Sequence, residues 1–329
     1  MLTLPACRVY VGTDDGLFTF DVDGEQVDRV GRSLAGETVR DVSVHPGDPD
    51  VAAVGCGLRG WGLHRVTDAG DRARTVGFAD EWVWGVTRDP ADPDAVYVGT
   101  EPPGLFHGRP GGDDGFETVS DFATLPTRED WSFGHDPFAA GHVHGITVAD
   151  ATLLAAVEHG AVLFSRDGGE TWEDALPGID AHDTALVEGR FVVTAGTAGD
   201  AAGGLLWSED ATEWHRIDRF DGMYVKELVQ SADGRLFVDA APDPTADTAG
   251  VWNSDDGGRT WTSVGAVPPA SVVGCNLLST HPTDARTLFH ATHYAGEAQL
   301  VVSTDRGATW AEVGPQLPTI RSVDAAPLP

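Results

Sequence analysis

Apolar and polar residues alternate in short runs along the chain, and no run keeps the 3.6-residue period of an amphipathic helix. Seven alternating runs recur at intervals of roughly 40 to 60 residues, which is the spacing of a repeated structural unit. They are VRDVSV from Val39, VWGVTR from Val83, VHGITV from Val143, HDTALV from His182, VKELVQ from Val225, GCNLLS from Gly274 and IRSVDA from Ile320. The pattern therefore predicts seven copies of one all-β unit.

A turn rich in Pro, Asp and Gly follows most of these runs, and a second apolar run follows the turn. Examples are HPGDPD before VAAVGC, RDPADPD before AVYVGT and SADGR before LFVDAA. Short β-rich runs joined by such turns are typical of four-stranded antiparallel blades. We therefore predict one seven-bladed β-propeller domain over residues 1–329, with an insert loop at 123–142 between the third and fourth blades.

The two ends of the chain carry different parts of the repeat. The chain opens on RVYVGT, a second-strand sequence, and closes on TIRSVDA, a first-strand sequence. We expect the carboxyl-terminal strand to complete the amino-terminal blade, because this pairing removes the open sheet edges of a linear stack.

A polar octet recurs as SRDGGETW from Ser165, SDDGGRTW from Ser254 and STDRGATW from Ser303, with weaker copies SEDATEW from Ser208 and DDGFETV at Asp113. It resembles the Asp-box, or bacterial neuraminidase repeat (BNR), of sialidase-like, sortilin-like, photosystem II assembly-factor-like and YVTN/BNR-like propellers. The resemblance implies a turn between the third and fourth strands, on the rim away from the binding face. Asp can accept backbone N–H bonds there, Gly supplies positive φ, and Trp inserts between sheets. We assign structural roles to Asp167, Trp172, Asp256, Trp261, Asp305 and Trp310.

Acidic residues dominate the charge, with Asp+Glu 52 against Lys+Arg 21 and a net charge of -31. Lys226 is the single lysine. Such a surface suits a halophile, since hydrated carboxylates keep a protein soluble in salt, and we expect a haloarchaeal type of source. It disfavours nucleic acid and anionic membranes as partners, because both require a basic face.

The amino terminus, MLTLPACRVYVG, lacks a basic segment followed by a long apolar one, so we expect a cytoplasmic protein. Cys7, Cys56 and Cys275 are too few and too far apart for a disulfide framework or a CxxC metal site. We expect them to be small buried side chains, and we expect the protein to be a monomer.

Polar residues cluster where chain segments enter first strands and leave second strands, positions that converge on one face of a propeller. The second positions of the first strands are Arg40, Trp84, His144, Asp183, Lys226, Cys275 and Arg321. The ends of the second strands carry Asp14, Glu101, Glu158, His159, His293 and Tyr294. We predict a polar pocket at this mouth of the axial channel.

The insert loop leads directly into a first strand and should cover the same mouth. Its Trp131, Phe133, His135 and Phe138 could form an aromatic lid. The alternative is a surface loop packed on its own aromatic side chains.

Histidines at the mouth allow two interpretations. His142, His144, His159 and His182, with Glu158 and Asp183, supply ligand types that divalent metals accept. Spacing alone does not bring three ligands together, so we favour hydrogen-bonding or acid-base histidines and predict no metal and no cofactor.

Two classes of function remain open, and we favour the first. The first is a propeller that binds a small anionic or carbohydrate ligand, or a protein or peptide partner, without chemistry. The alternative is a glycoside hydrolase, sialidase-like or of another kind, or a lyase. Arg40 and Arg321 could clamp a carboxylate, but the F/Y-R-I-P element of sialidases is absent. Candidate catalytic residues are Glu158, Asp183, His144 and Tyr294. Candidate ligand-binding residues are Arg40, Trp84, Glu101, His159, His182, Lys226, Arg321 and Trp131.

Overall fold

The computed structural model describes residues 3–134, 137–138, 140–197, 202–243, 249–264, 277–294 and 297–328, without the side chains of 293, 294 and 297. These residues form seven four-stranded sheets. Blade I contains β28 (Ile320–Pro327), β1 (Leu4–Thr13), β2 (Gly16–Gly24) and β3 (Gln26–Ser33); blade II contains β4 (Val39–His45), β5 (Asp48–Cys56), β6 (Gly62–Thr67) and β7 (Arg72–Gly77). Blade III contains β8 (Trp82–Arg88), β9 (Val96–Glu101), β10 (Leu105–Gly108) and β11 (Phe116–Ser120); blade IV contains β12 (His142–Ala149), β13 (Thr152–Glu158), β14 (Ala161–Ser165) and β15 (Glu173–Pro177).

The remaining sheets follow the same order along the chain. Blade V contains β16 (Asp180–Val187), β17 (Arg190–Gly196), β18 (Gly204–Ser208) and β19 (His215–Arg216); blade VI contains β20 (Tyr224–Gln230), β21 (Leu236–Ala241), β22 (Gly250–Ser254) and β23 (Thr262–Ser263). Blade VII contains β24 (Ser279–Thr280), β25 (Leu288–Tyr294), β26 (Glu297–Ser303) and β27 (Ala311–Pro318). Helical structure in the described part of the chain is limited to three short 3-10 segments, Asp68–Gly70, Arg128–Asp130 and Asp218–Phe220. None of them is long and apolar enough to cross a membrane.

The carboxyl-terminal strand closes the ring. β28 pairs antiparallel with β1 in a register that runs from Cys7 opposite Pro327 to Thr13 opposite Ile320. Strand order in blade I is therefore β28-β1-β2-β3, so the inner strand of the first blade comes from the end of the chain. The predicted all-β fold, its seven blades and its closure are confirmed.

The apolar core is divided into seven large clusters, and each lies between two neighbouring blades. One cluster joins Val9 and Val11 of blade I to Phe289 and Leu300 of blade VII, across the closure. The other six join the remaining pairs of neighbours around the ring. Because each blade buries both faces against its neighbours, the strands show continuous runs of buried residues, and every blade depends on the complete ring.

The octets form the turns between third and fourth strands, as expected. In the first copy, Asp167 accepts the backbone N–H of Thr171 at 2.9 Å and its hydroxyl at 2.6 Å. Gly169 has a φ of +95°, and the Trp172 indole donates to its carbonyl at 3.0 Å. These hydrogen bonds lower the pKa of Asp167 to about 2. The carboxylates of Asp256 and Asp305 make the equivalent bonds in blades VI and VII. Trp261 repeats the indole bond by donating to Gly258.

Candidate functional site

A β-bulge recurs near the start of the inner strand in six blades. In blade II, Val39 pairs with Cys56 and Asp41 with Gly55, so Arg40 is the extra residue. The residues at the equivalent bulges are Trp84, His144, His182, Lys226 and Arg321. Bulges reorient side chains next to functional sites, and here they gather one large polar or aromatic residue from each of these six blades around the mouth. His182 takes the bulge position in blade V, one residue before the expected Asp183.

A close backbone approach holds two of these bulges together. A Cβ atom at Gly85, the residue after the bulge in blade III, would lie 2.0 Å from the carbonyl oxygen of His144. Only glycine fits at that distance. The backbone of blade IV therefore contacts the backbone of blade III directly at His144.

Glu158 lies at the centre of the polar cluster. Its Oε2 is 3.0 Å from Lys226 Nζ and 3.3 Å from His142 Nε2. The Lys226 side chain is buried, whereas the Glu158 side chain keeps 12% of its surface exposed. Burial opposes ionisation of Glu158, but the Lys226 ammonium and His142 more than offset it and hold the pKa of this carboxyl well below its ordinary value. His142 also approaches Glu101, with 3.5 Å between Nδ1 and Oε2.

His182 and Asp180 form the second half of the cluster. His182 Nδ1 donates to the Val225 carbonyl at 2.8 Å, which leaves its Nε2 facing two carboxylates. Nε2 lies 3.6 Å from Asp180 Oδ2 and 3.9 Å from Glu158 Oε1. Asp180 Oδ1 accepts the backbone N–H of His159 at 3.1 Å. The backbone thus holds His182 Nδ1 and Asp180 Oδ1, while His182 Nε2 and Asp180 Oδ2 face each other.

His144 lies between this cluster and the channel. Its ring nitrogens make no hydrogen bond to any described residue, and the residue is 4% exposed. Burial, followed by the nearby Lys226 charge, lowers the pKa of His144 well below its ordinary value. His144, His182 and Asp183 line an axial cavity of about 270 Å³, together with Ser43, Thr87 and other residues of the inner strands.

Aromatic side chains cover one side of the mouth. Phe133 and Trp84 both lie parallel to the His142 imidazole, with ring centroids 5.0 Å and 3.5 Å away. Phe138 contacts Phe133 at 4.7 Å and Trp84 at 5.8 Å. The insert loop thus brings Phe133 and Phe138 to the mouth. His135 lies outside the described residues, and Trp131 is buried among apolar side chains of blades III and IV.

The two arginines at bulge positions have partners within the protein. Arg321 makes a two-point ion pair with Asp14, with both nitrogen-oxygen distances at 2.8 Å. The Arg40 guanidinium lies 4.0 Å above the Trp84 ring. A clamp on a ligand carboxylate would therefore have to displace Asp14 from Arg321.

Asp183 makes the contacts of a bridge between blades. Its two oxygens accept the N–H of Thr184 at 2.7 Å and of Leu228, on the next blade, at 3.1 Å. Burial raises its pKa to about 6. Asp41 and Asp324 bridge their neighbouring blades in the same way.

Sequence reasoning passed over these bridges and also over Glu227, a buried acid beside Lys226 that lines the channel. Burial, then the neighbouring Asp183, raises the pKa of Glu227 well above its ordinary value. Its signal in the sequence was an acidic residue directly after the bulge position, which Asp41 and Asp183 share. Of the other predicted residues, the side chain of Tyr294 and all of Cys275 lie outside the described part, while Cys7 and Cys56 are buried as expected.

Comparisons with known proteins find matches to the repeat and to the fold. The BNR/Asp-box repeat model matches residues 163–174. No curated protein matches the chain. Among solved structures, the chain is similar to the GH74 xyloglucanase from Xanthomonas campestris, at 16% identity over 84% of this chain and 45% of that chain, with a TM-score of 0.60. It thus spans less than half of that protein.

Two further similar structures are covered more completely. YCF48 bound to D1 peptide is 16% identical, with 95% of this chain and 86% of that chain covered and a TM-score of 0.53. A functionally unknown protein from Desulfotomaculum acetoxidans is 14% identical, with 98% of this chain and 99% of that chain covered and a TM-score of 0.64. At these identities the likeness concerns the fold alone. The sheets, the octet turns and these matches agree that the chain is a seven-bladed β-propeller carrying the BNR/Asp-box repeat.

Proposed function

We propose that the protein binds a neutral carbohydrate at the mouth of its axial channel. The observation that carries the proposal is the buried imidazole of His144, which makes no hydrogen bond to any described residue. Buried polar groups are ordinarily paired, because an unmade bond costs about 1–3 kcal/mol. A sugar hydroxyl both donates and accepts, so it can pair with either nitrogen of the ring.

Aromatic rings next to the polar cluster supply the other half of such a site. Trp61 is 50% exposed, and its ring lies 5.6 Å from that of Trp82. Trp82 lies 6.3 Å from Phe138, which continues to Phe133. These four rings, here named the aromatic row, run along the mouth as far as His142. Sugars carry C–H faces as well as hydroxyls, so a ring surface beside polar groups matches both.

Charge favours a neutral ligand over an anionic one. Carboxylates dominate the polar cluster: Glu158 pairs with Lys226, Glu101 approaches His142 and Asp180 approaches His182. The whole chain has a net charge of -31. The Arg321 guanidinium is already held by Asp14. An anion would meet repulsion that a neutral sugar avoids. The cavity of about 270 Å³ lies near the lower limit for ligand sites, which suits one sugar unit rather than a folded partner.

The proposal is tested by titrating the purified protein with a panel of neutral mono- and oligosaccharides, with gluconate and galacturonate as anionic comparators. Calorimetry should detect at least one neutral sugar and neither acid. His144→Leu should weaken that binding at least about tenfold while leaving the protein equally or more stable, since it removes unpaired polar atoms. His215→Leu, on an exposed outer strand, is the matched control. Unchanged affinity in His144→Leu, or binding of the acids alone, would reject the proposal.

Glycoside hydrolysis is a second candidate, and the partly exposed Glu158 carboxylate at the mouth favours it. A carboxylate beside a bound sugar can act as a base or a nucleophile. Fluorogenic glycosides, sialosides included, provide the test. Turnover that disappears in Glu158→Gln supports catalysis, whereas a panel without turnover leaves binding as the function.

A further inference from the structure

We propose that Glu158, Asp180 and His182 form a binding site for a divalent transition metal, of the zinc or manganese type. Each residue offers one ligand atom, and these three atoms lie within 4.8 Å of one another. His182 Nε2 faces Asp180 Oδ2 and Glu158 Oε1. One imidazole with two carboxylates is a donor set that suits zinc and manganese better than calcium or magnesium. This inference does not rest on carbohydrate binding.

The first argument is the buried Nε2 of His182, which faces two carboxylates without a hydrogen bond of normal length. The side chain is fully buried, and its Nε2 makes no hydrogen bond to a described residue. The 3.6 Å to Asp180 Oδ2 and the 3.9 Å to Glu158 Oε1 are too long for hydrogen bonds. Two ligands that each lie about 2.1 Å from one tetrahedral ion are roughly 3.4 Å apart. The two separations from His182 Nε2 exceed that spacing by about 0.2 and about 0.5 Å.

The second argument is the support behind each ligand atom. His182 donates its Nδ1–H to the Val225 carbonyl, so the lone pair lies on Nε2. Asp180 holds the His159 N–H with its outer oxygen, and Glu158 holds the Lys226 ammonium with its Oε2. Metal ligands are ordinarily oriented by such a second set of hydrogen bonds, which fix the tautomer and the rotamer. Each of the three proposed ligands has such a supporting hydrogen bond.

The third argument is room and charge. A Cβ atom at Gly196 would lie 2.4 Å from Asp180 Oδ2 and 2.6 Å from His182 Cε1, so glycine keeps this space clear. Glu158 pairs with Lys226, whereas Asp180 and Glu101 approach only histidines, so a divalent cation would balance an excess of carboxylates. The channel cavity reaches His182, which gives an ion a path to the site.

A second cluster, formed by Glu37, Cys56 and His64, supplies a contrast. His64 Nε2 is 3.0 Å from the Trp61 carbonyl and Nδ1 is 3.3 Å from the Thr75 hydroxyl. Both ring nitrogens therefore have partners, and neither is left to bind a metal. This cluster serves as an internal control for the experiment.

The test uses the full chain, stripped with EDTA and then dialysed against Zn²⁺, Mn²⁺ or Mg²⁺, with bound metal measured by mass spectrometry. We expect one equivalent of Zn²⁺ or Mn²⁺ and no retained Mg²⁺. Asp180→Asn keeps the acceptor for His159 and should weaken binding at least about 100-fold. His64→Gln should bind like the wild type. No retained metal, or equal retention in Asp180→Asn, overturns the assignment.

A spectroscopic measurement keeps the test independent of how the variants fold. Co²⁺ bound by one imidazole and two carboxylates gives visible d–d bands without a thiolate charge-transfer band. Co²⁺ at the second cluster would show that near-ultraviolet band through Cys56. A thiolate band, or no d–d absorption, would contradict the proposed site. Sugar titrations run with and without EDTA separate failure of this proposal from failure of the carbohydrate proposal.

Discussion

Asp324 is a bridge between blades I and II whose charge should make the stability of the ring depend on pH. Its carboxylate accepts the backbone N–H of Ala325 and of Val44, each at 2.8 Å. Burial raises its pKa to about 6, from an ordinary 3.8. Because the folded state holds the proton more tightly, this group stabilises the fold fully below pH 3.8, and that contribution is lost as the pH rises through about 6.

The magnitude follows from the two pKa values. Each unit is worth about 1.4 kcal/mol, so full ionisation costs about 3 kcal/mol, an upper value because the side chain is only half-buried. Between about pH 5 and about pH 7.5 the expected loss is about 1.4 kcal/mol. Asp324→Asn cannot ionise and leaves one N–H unpaired, at a pH-independent cost of about 1–3 kcal/mol.

The assay is urea unfolding of the wild type and Asp324→Asn at several pH values. The wild type should be the more stable protein near pH 5, and its advantage should shrink by about 1.4 kcal/mol near pH 7.5. Asp28→Asn, on an exposed outer strand, controls for the removal of one negative charge. A stability difference between wild type and Asp324→Asn that stays constant across this range would refute the reasoning.

Three further predictions concern the scaffold. Deletion of residues 320–329 removes the inner strand of blade I and should abolish the cooperative transition in calorimetry; a truncated protein of wild-type stability would contradict ring closure. Trp261→Ala empties a buried site between blades V and VI and should cost about 3–5 kcal/mol in urea unfolding, and a loss below about 1 kcal/mol would contradict that role. Added KCl should raise the melting temperature, because it screens repulsion within a chain of net charge -31. A melting temperature independent of KCl would show that this repulsion is negligible.

The architecture could be predicted because it depends on local patterns. Period-two alternation and turn chemistry recur around the ring, and the octet recurs in blades IV, VI and VII, so each copy supports the others. Closure was predictable because the chain opens on a second-strand sequence that begins at Arg8 and closes on a first-strand sequence that begins at Ile320. These two strands pair in blade I. The hydrophobic period and the turn residues depend only on positions close together in the chain, so both can be recognised in the sequence.

The site was predictable in its location but not in its contacts. The run in blade V was aligned from His182 and not from Ala181, one residue late relative to the other runs, so the alignment placed Asp183 at the bulge that His182 occupies. The contact of His182 with Asp180 depends on side-chain direction after the bulge, and that of Glu158 with Lys226 depends on the spacing across two blades. Such distances are set by the closed ring as a whole and leave no periodic trace in the sequence.

The most direct test of carbohydrate binding at the mouth is a crystal structure of the protein soaked with the neutral sugar that gives the strongest calorimetric signal. The account predicts a hydroxyl within hydrogen-bonding distance of a His144 ring nitrogen and a sugar face against Phe133 or Phe138. A sugar bound at the Asp-box rim, or anywhere without contact to His144, would contradict it.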